Sequence, residues 1–75
     1  MNFHKELDAR GLGCPLPILR TRKAINELLP GQVLKILATD PGSVRDMESF
    51  CQQTGNELVL SHREDSSHIF FVRKS

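Results

Sequence analysis

Cys14 stands in the run DARGLGCPLP (Asp8–Pro17), after a loop punctuated by Gly11 and Gly13 and ahead of two prolines spaced two apart. Glycine-rich chain before it and proline after it make deep burial difficult, so the thiol reads as accessible rather than as a small core filler. With Cys14 as the N-cap of a helix, Pro15 takes the first helical position, where an N–H has no intrahelical partner to lose. The sulfur then lies at the positive end of the helix dipole, which favours thiolate and lowers the pKa below the free value of about 8.5. Pro15 and Pro17 lack N–H groups, which leaves the Leu16 N–H to bond the sulfur and keeps the expected shift modest. A residue before proline avoids the α region, so a helix that begins at Pro17, with Cys14 in the loop, is the alternative.

No base and no second thiol accompany Cys14. A cysteine hydrolase needs a histidine near the nucleophile, and a dithiol oxidoreductase needs a second cysteine two residues on. Here the following residues are Pro-Leu-Pro, and His4, His62 and His68 fall on expected strands as solvated side chains. Cys51 lies mid-helix in line with Val44 and Met47 and reads as inert core. A lone nucleophilic thiol of this kind suits a protein that holds a group covalently and hands it on. On a helical wheel Leu16 and Leu19 point away from the core stripe, beside Arg20 and Lys23. Together with Arg10 and Leu12 of the preceding loop they make a candidate docking surface around the thiol. The cations Arg10, Arg20 and Lys23 could instead stabilise the thiolate or form a solvated face. Asp8, at a strand end, either bonds the backbone of the loop after it and holds Cys14 in place, or is a solvated charge.

The elements that must position these residues follow from periodicity. Phe3–Ala9 alternates as a strand. From Pro15 to Leu29 the period is helical, with Ile18, Thr21, Ala24, Ile25, Leu28 and Leu29 on one face and Pro30-Gly31 as the stop. QVLKILAT (Gln32–Thr39) is an apolar, central strand. Asp40 followed by Pro41 is a helix start, with Asp40 as the structural cap, and the helix runs to about Gln53 with Val44, Met47, Phe50 and Cys51 inward. NELVLSHRE and HIFFVRK form a hairpin around DSS, and HIFFV, apolar on both faces, suits an interior strand. The order β-α-β-α-β-β with right-handed crossovers gives an α+β fold: a two-layer sandwich, a four-stranded mixed sheet with both helices on one face.

Composition bounds the rest. A chain of 75 residues is expected to be one domain with a thin core. Two distant cysteines are too few for a disulfide-stapled fold and have the wrong spacing for zinc. MNFHKELDAR is charged and is no signal peptide, and no apolar run approaches membrane-spanning length. A reducing cytoplasm is the expected setting, with no metal and no cofactor. The formal net charge of +1, from mixed charges, argues against a dedicated nucleic-acid binder and leaves room only for a local patch, and no membrane partner is expected.

The stretches LDARGLGCPLPILRTRKAI and ATDPGSVRDMESFCQQTGNEL, joined through an apolar strand, resemble the TusA/SirA-like family of small sulfur-carrier proteins, over nearly the whole chain. The Cys-Pro-x-Pro signature after Asp-x-x-Gly carries the likeness, through Asp8, Gly11, Cys14, Pro15 and Pro17, with the Thr-Asp-Pro of Asp40 and the Arg-Asp of Arg45 and Asp46 downstream. The resemblance implies a sandwich similar to the C-terminal domain of translation initiation factor three. It also implies that Cys14 carries a persulfide received from a cysteine desulfurase and passes it to an acceptor protein, for 2-thiolation of tRNA wobble uridine or for another sulfur pathway such as sulfur oxidation or molybdenum-cofactor synthesis. Many members have a charged residue just before the cysteine or between the prolines, where this chain has Gly13 and Leu16. Two other classes stand beside the carrier: a regulator whose thiol senses oxidation, and an RNA-binding module suggested by FFVRK.

Overall fold

The computed structural model describes residues 2–75. Its elements are β1 (Lys5–Ala9), α1 (Leu16–Asn26), β2 (Val33–Ala38), α2 (Ser43–Thr54), β3 (Glu57–Glu64) and β4 (Ser67–Arg73). They form one four-stranded sheet in the order β1-β2-β4-β3. β1 runs parallel to β2, and β4 is antiparallel to both β2 and β3. The fold is the expected α+β sandwich, and β4 is an interior strand as its sequence implies.

Register explains why HIFFV is apolar on both sides. Leu34 and Ile36 of β2 lie opposite Val72 and Phe70, and these four side chains join Ala24, Ile25 and Leu28 from the α1 side with Met47, Phe50 and Cys51 of α2 in one core. Ile69 and Phe71 point the other way, to the face without helices. There Phe3 tilts against Phe71 at 6.1 Å between centroids, and the Lys35 ammonium lies 5.2 Å from the Phe3 ring. Phe71 is therefore buried although no helix covers it.

Three boundaries differ from expectation for local reasons. β1 begins at Lys5 rather than Phe3, because His4 closes the ladder with its side chain: the Val33 N–H donates to His4 Nδ1 at 3.0 Å. α1 ends at Asn26, where the Glu27 and Leu28 N–H groups take the carbonyls three residues back. Beyond that tightened turn the helical phase is lost. Leu28 stays buried, but Leu29 swings out and is 68% exposed, so it does not belong to the core stripe. Asp40 is not the N-cap of α2; Gly42 is, and no side chain caps it. Asp40 instead closes the turn ahead of the helix, its Oδ2 accepting the Gly42 N–H at 3.0 Å and its carbonyl accepting the Ser43 N–H and hydroxyl. α2 ends as expected at Gly55, whose φ of +80° suits glycine and whose N–H reaches the Cys51 carbonyl.

Cys51 is buried in this core, and burial pushes its thiol up to about 11, so it is no nucleophile at neutral pH. Cys51→Ser places a hydroxyl among Met47, Phe50 and their neighbours and is expected to cost about 1–3 kcal/mol. A lowered urea midpoint at unchanged slope is the expected reading; an unchanged midpoint would remove Cys51 from the core.

Candidate thiol site between the two helices

The loop that presents Cys14 is tied down at both ends. Where β1 ends, Asp8 accepts the Arg10 backbone N–H at 3.1 Å and pairs bidentately with the Arg10 guanidinium at 2.9 Å for each contact. That pairing holds the Asp8 carboxyl down at about 2, and it commits Arg10 to Asp8. Gly11 turns the chain at φ +82°, a conformation that disfavours other residues, and its N–H donates to Thr39 Oγ1 at 2.9 Å just past the end of β2. The Leu12 N–H returns to the Ala9 carbonyl at 3.3 Å. Asp8 and Gly11 thus fix the start of the loop, and of the two readings the sequence leaves for Asp8 the bond to loop backbone is present although the side chain is exposed.

At the far end the helix starts one residue later than the N-cap reading of Cys14. Pro15 is the N-cap and Pro17 the second helical residue, where neither ring displaces an intrahelical bond. Cys14 precedes the cap and is exposed. The Leu16 N–H, expected to bond the sulfur, donates to the Gly13 carbonyl at 2.9 Å. Pro17 is buried, and its carbonyl accepts the Thr21 hydroxyl at 2.8 Å, which settles the first turn against the core.

The sulfur finds its partner on the other helix. Its S–H donates to Asp46 Oδ2 at 3.2 Å, with Asp46 in the first turn of α2. This hydrogen bond, then partial burial, then the negative charges of Asp46 and Asp40 raise the Cys14 pKa above its ordinary value. The direction is opposite to the lowering expected from a helix N-terminus. The amide that would have favoured thiolate is turned away, and a carboxylate stands in its place.

Cys14, Pro15, Ile18 and Arg22 from the α1 side meet Asp46, Ser49, Phe50 and Gln53 of α2 around a cleft of about 220 Å³. The Arg22 guanidinium lies 5.3 Å from the centre of the Phe50 ring. Leu16 and Leu19 crown α1 at 43% and 52% exposure, while Leu12 is half-buried. Arg20 and Lys23 line a separate groove on the β1 side of α1, with Lys5, Leu7, Ala24 and Glu27. The structure therefore joins Cys14 to Pro15 and Asp46, and parts it from the grooves that hold Arg20 and Lys23. In the sequence Asp46 enters only as part of the family's Arg-Asp piece, and neither it nor Arg22 is marked as a site residue. The available signal was the spacing Asp46, Ser49, Phe50, Gln53, which puts one polar-edged stripe of α2 toward α1.

Comparison with known proteins follows this geometry. The family model described as Sulfurtransferase TusA matches residues 5–74. The sulfur carrier protein TusA of Allochromatium vinosum is 54% identical over 74 residues, covering 99% of this chain and 97% of that protein. A putative sulfur carrier protein of Bacillus subtilis, YrkI, is 42% identical over 74 residues and 99% of each chain. TusA of Pseudomonas aeruginosa is 41% identical over 68 residues, 91% of this chain and 86% of its own. A SirA-like protein of Desulfitobacterium hafniense superimposes with a TM-score of 0.83 at 22% identity, over 93% of this chain and 96% of that one, and shares the fold. The extent of these matches and the shared sandwich place the chain in the TusA sulfurtransferase family.

Proposed function

We propose that this protein is a sulfur carrier that accepts a persulfide sulfur on Cys14 from a cysteine desulfurase and relays it to an acceptor protein, toward 2-thiolation of tRNA in the cytoplasm. The observation that carries the reading is the pairing of one accessible thiol with one buried one in a chain of this family. A carrier needs a single exchangeable sulfur and no resolving thiol beside it, and Cys51 is shut in the core. Sulfur moves when Cys14, as thiolate, attacks the outer sulfur of the donor's persulfide. The donor's S–S bond breaks as a new S–S bond forms on Cys14, and the donor sulfur leaves as thiolate with the electron pair and then takes a proton from solvent.

A further observation favours the carrier over an RNA-binding module. An RNA platform needs exposed aromatic faces, whereas Phe70 lies under the helices and Phe71 under Phe3 and its neighbours.

For transfer, the two sulfurs must come within bonding contact, so Cys14 sits at the centre of the interface. Leu16 and Leu19 flank it as apolar anchors, with Leu12 behind, while Arg20 and Lys23 lie further out on the β1 side and act on encounter with an acidic patch at the rim of the partner's surface. Incubation with a desulfurase and radiolabelled cysteine should label the wild type and Cys51→Ser and leave Cys14→Ser unlabelled. Label on Cys14→Ser would reject the assignment. Leu16→Glu should slow transfer between proteins about tenfold, the effect of losing one good contact, with alkylation of Cys14 by iodoacetamide unchanged. Reversal of Arg20 and Lys23 together should slow transfer less and in a salt-dependent way. Native transfer rates in both variants would show that the partner approaches from another side and that this face is merely solvated.

A further inference from the structure

The proton on Cys14 has a specific holder. Asp46 accepts the S–H at 3.2 Å across 32 positions of chain, and among the described residues it is the side chain hydrogen-bonded to the sulfur. The charged groups that face Cys14 come from every neighbouring element: Arg22 of α1, Arg45, Asp46 and Glu48 of α2, and Asp40 in the turn before α2. Arg22 is engaged over Phe50. Asp46 lines both cavities that open on the sulfur, the cleft between the helices and a wider one of about 640 Å³ with Pro41, Gly42 and Val44.

We propose that Asp46 is a positioning residue for sulfur transfer: its carboxylate holds Cys14 as a hydrogen-bonded thiol in the free protein, and a cationic group of the sulfur donor releases the thiol by pairing with that carboxylate. The inference rests on Cys14 being the residue that carries sulfur. A negative charge against the sulfur opposes a second one, so the free carrier is slow toward stray electrophiles and oxidants. A guanidinium or ammonium set against Asp46 cancels the charge and removes the acceptor in one contact. With the carboxylate neutralised, Cys14 gives its proton up to solvent and the thiolate attacks the outer sulfur of the donor persulfide. The donor's S–S bond breaks as a new S–S bond forms on Cys14, the departing donor thiolate takes a proton from solvent, and no oxidant or reductant is consumed. The same carboxylates repel anionic small sulfur compounds, which selects for a protein-bound persulfide in cationic surroundings.

The test is the charge response of the sulfur. Cys14 is alkylated across a pH series with neutral iodoacetamide, anionic iodoacetate and cationic 2-bromoethylammonium, in wild type, Asp46→Asn and Cys14→Ser, and the adduct is located by mass spectrometry. Asp46→Asn should lower the midpoint of the iodoacetamide profile and raise its rate at neutral pH several-fold. It should also narrow the ratio of cationic to anionic reagent rates. In the wild type that ratio should shrink as salt is added, a reading that needs no variant to fold. An unchanged midpoint and unchanged ratio in Asp46→Asn, or a wild-type ratio that ignores both reagent charge and salt, would overturn the role of Asp46. Labelled-sulfur loading is read in parallel. Loading that fails while the charge response is intact overturns the carrier reading of Cys14, and with it the donor half of the proposal.

Discussion

Two helices that share one face of a four-stranded sheet must pack against each other as well as against the strands. That side-by-side packing is the constraint on which the site depends. α1 and α2 are too short to cover the sheet singly, so Ala24 and Ile25 of one helix and Met47, Phe50 and Cys51 of the other close a single core over Leu34, Ile36, Phe70 and Val72. Once they do, the loop before α1 and the first turn of α2 lie together. Cys14 and Asp46 meet there although 32 residues separate them. The cleft they share is the unfilled upper edge of the same helix–helix contact, with Phe50 serving both as core and as the floor beneath Arg22.

Electrostatics at the thiol follow from this arrangement rather than from the helix that Cys14 introduces. A helix dipole acts on a sulfur mainly through the N–H groups aimed at it. Pro15 and Pro17 supply none, and the Leu16 N–H is used by Gly13. The nearest formal charge then decides, and it is a carboxylate. The cations that local sequence places near Cys14 are occupied or lie elsewhere: Arg10 is clasped by Asp8, and Arg20 and Lys23 lean toward β1.

The fold was legible because its signals are local and repeated. Alternation in β1, short apolar runs in β2 and β4, a 3.6-residue stripe in each helix, and Gly55 at a helix end each state one element, and the crossover rule orders them. Errors fell where a side chain replaced a backbone partner, as at His4 and Asp40, or where a helix phase was carried past its end, as at Leu29. The thiol itself was legible from the glycines and prolines around it. Its protonation was not, since Asp46 belongs to a different element and nothing in the spacing of DARGLGCPLP reports what packs across from it. Helical spacing within α2 did point Asp46, Ser49, Phe50 and Gln53 in one direction, but only the packed structure shows that α1 lies there.

The sheet has two free margins, and each is ill suited to receiving another strand. β1 is five residues long and carries Lys5, Glu6 and Asp8, with Lys5 and Glu6 paired to Glu27 and Lys35. β3 is longer but irregular between Leu58 and Leu60, and its outer half is the charged run His62-Arg63-Glu64. Short length, charge and a bulge each discourage edge-to-edge growth of a sheet. Neither margin invites a second copy to zip along its strands, which leaves the surface around the sulfur, on the helical side, clear of that kind of contact.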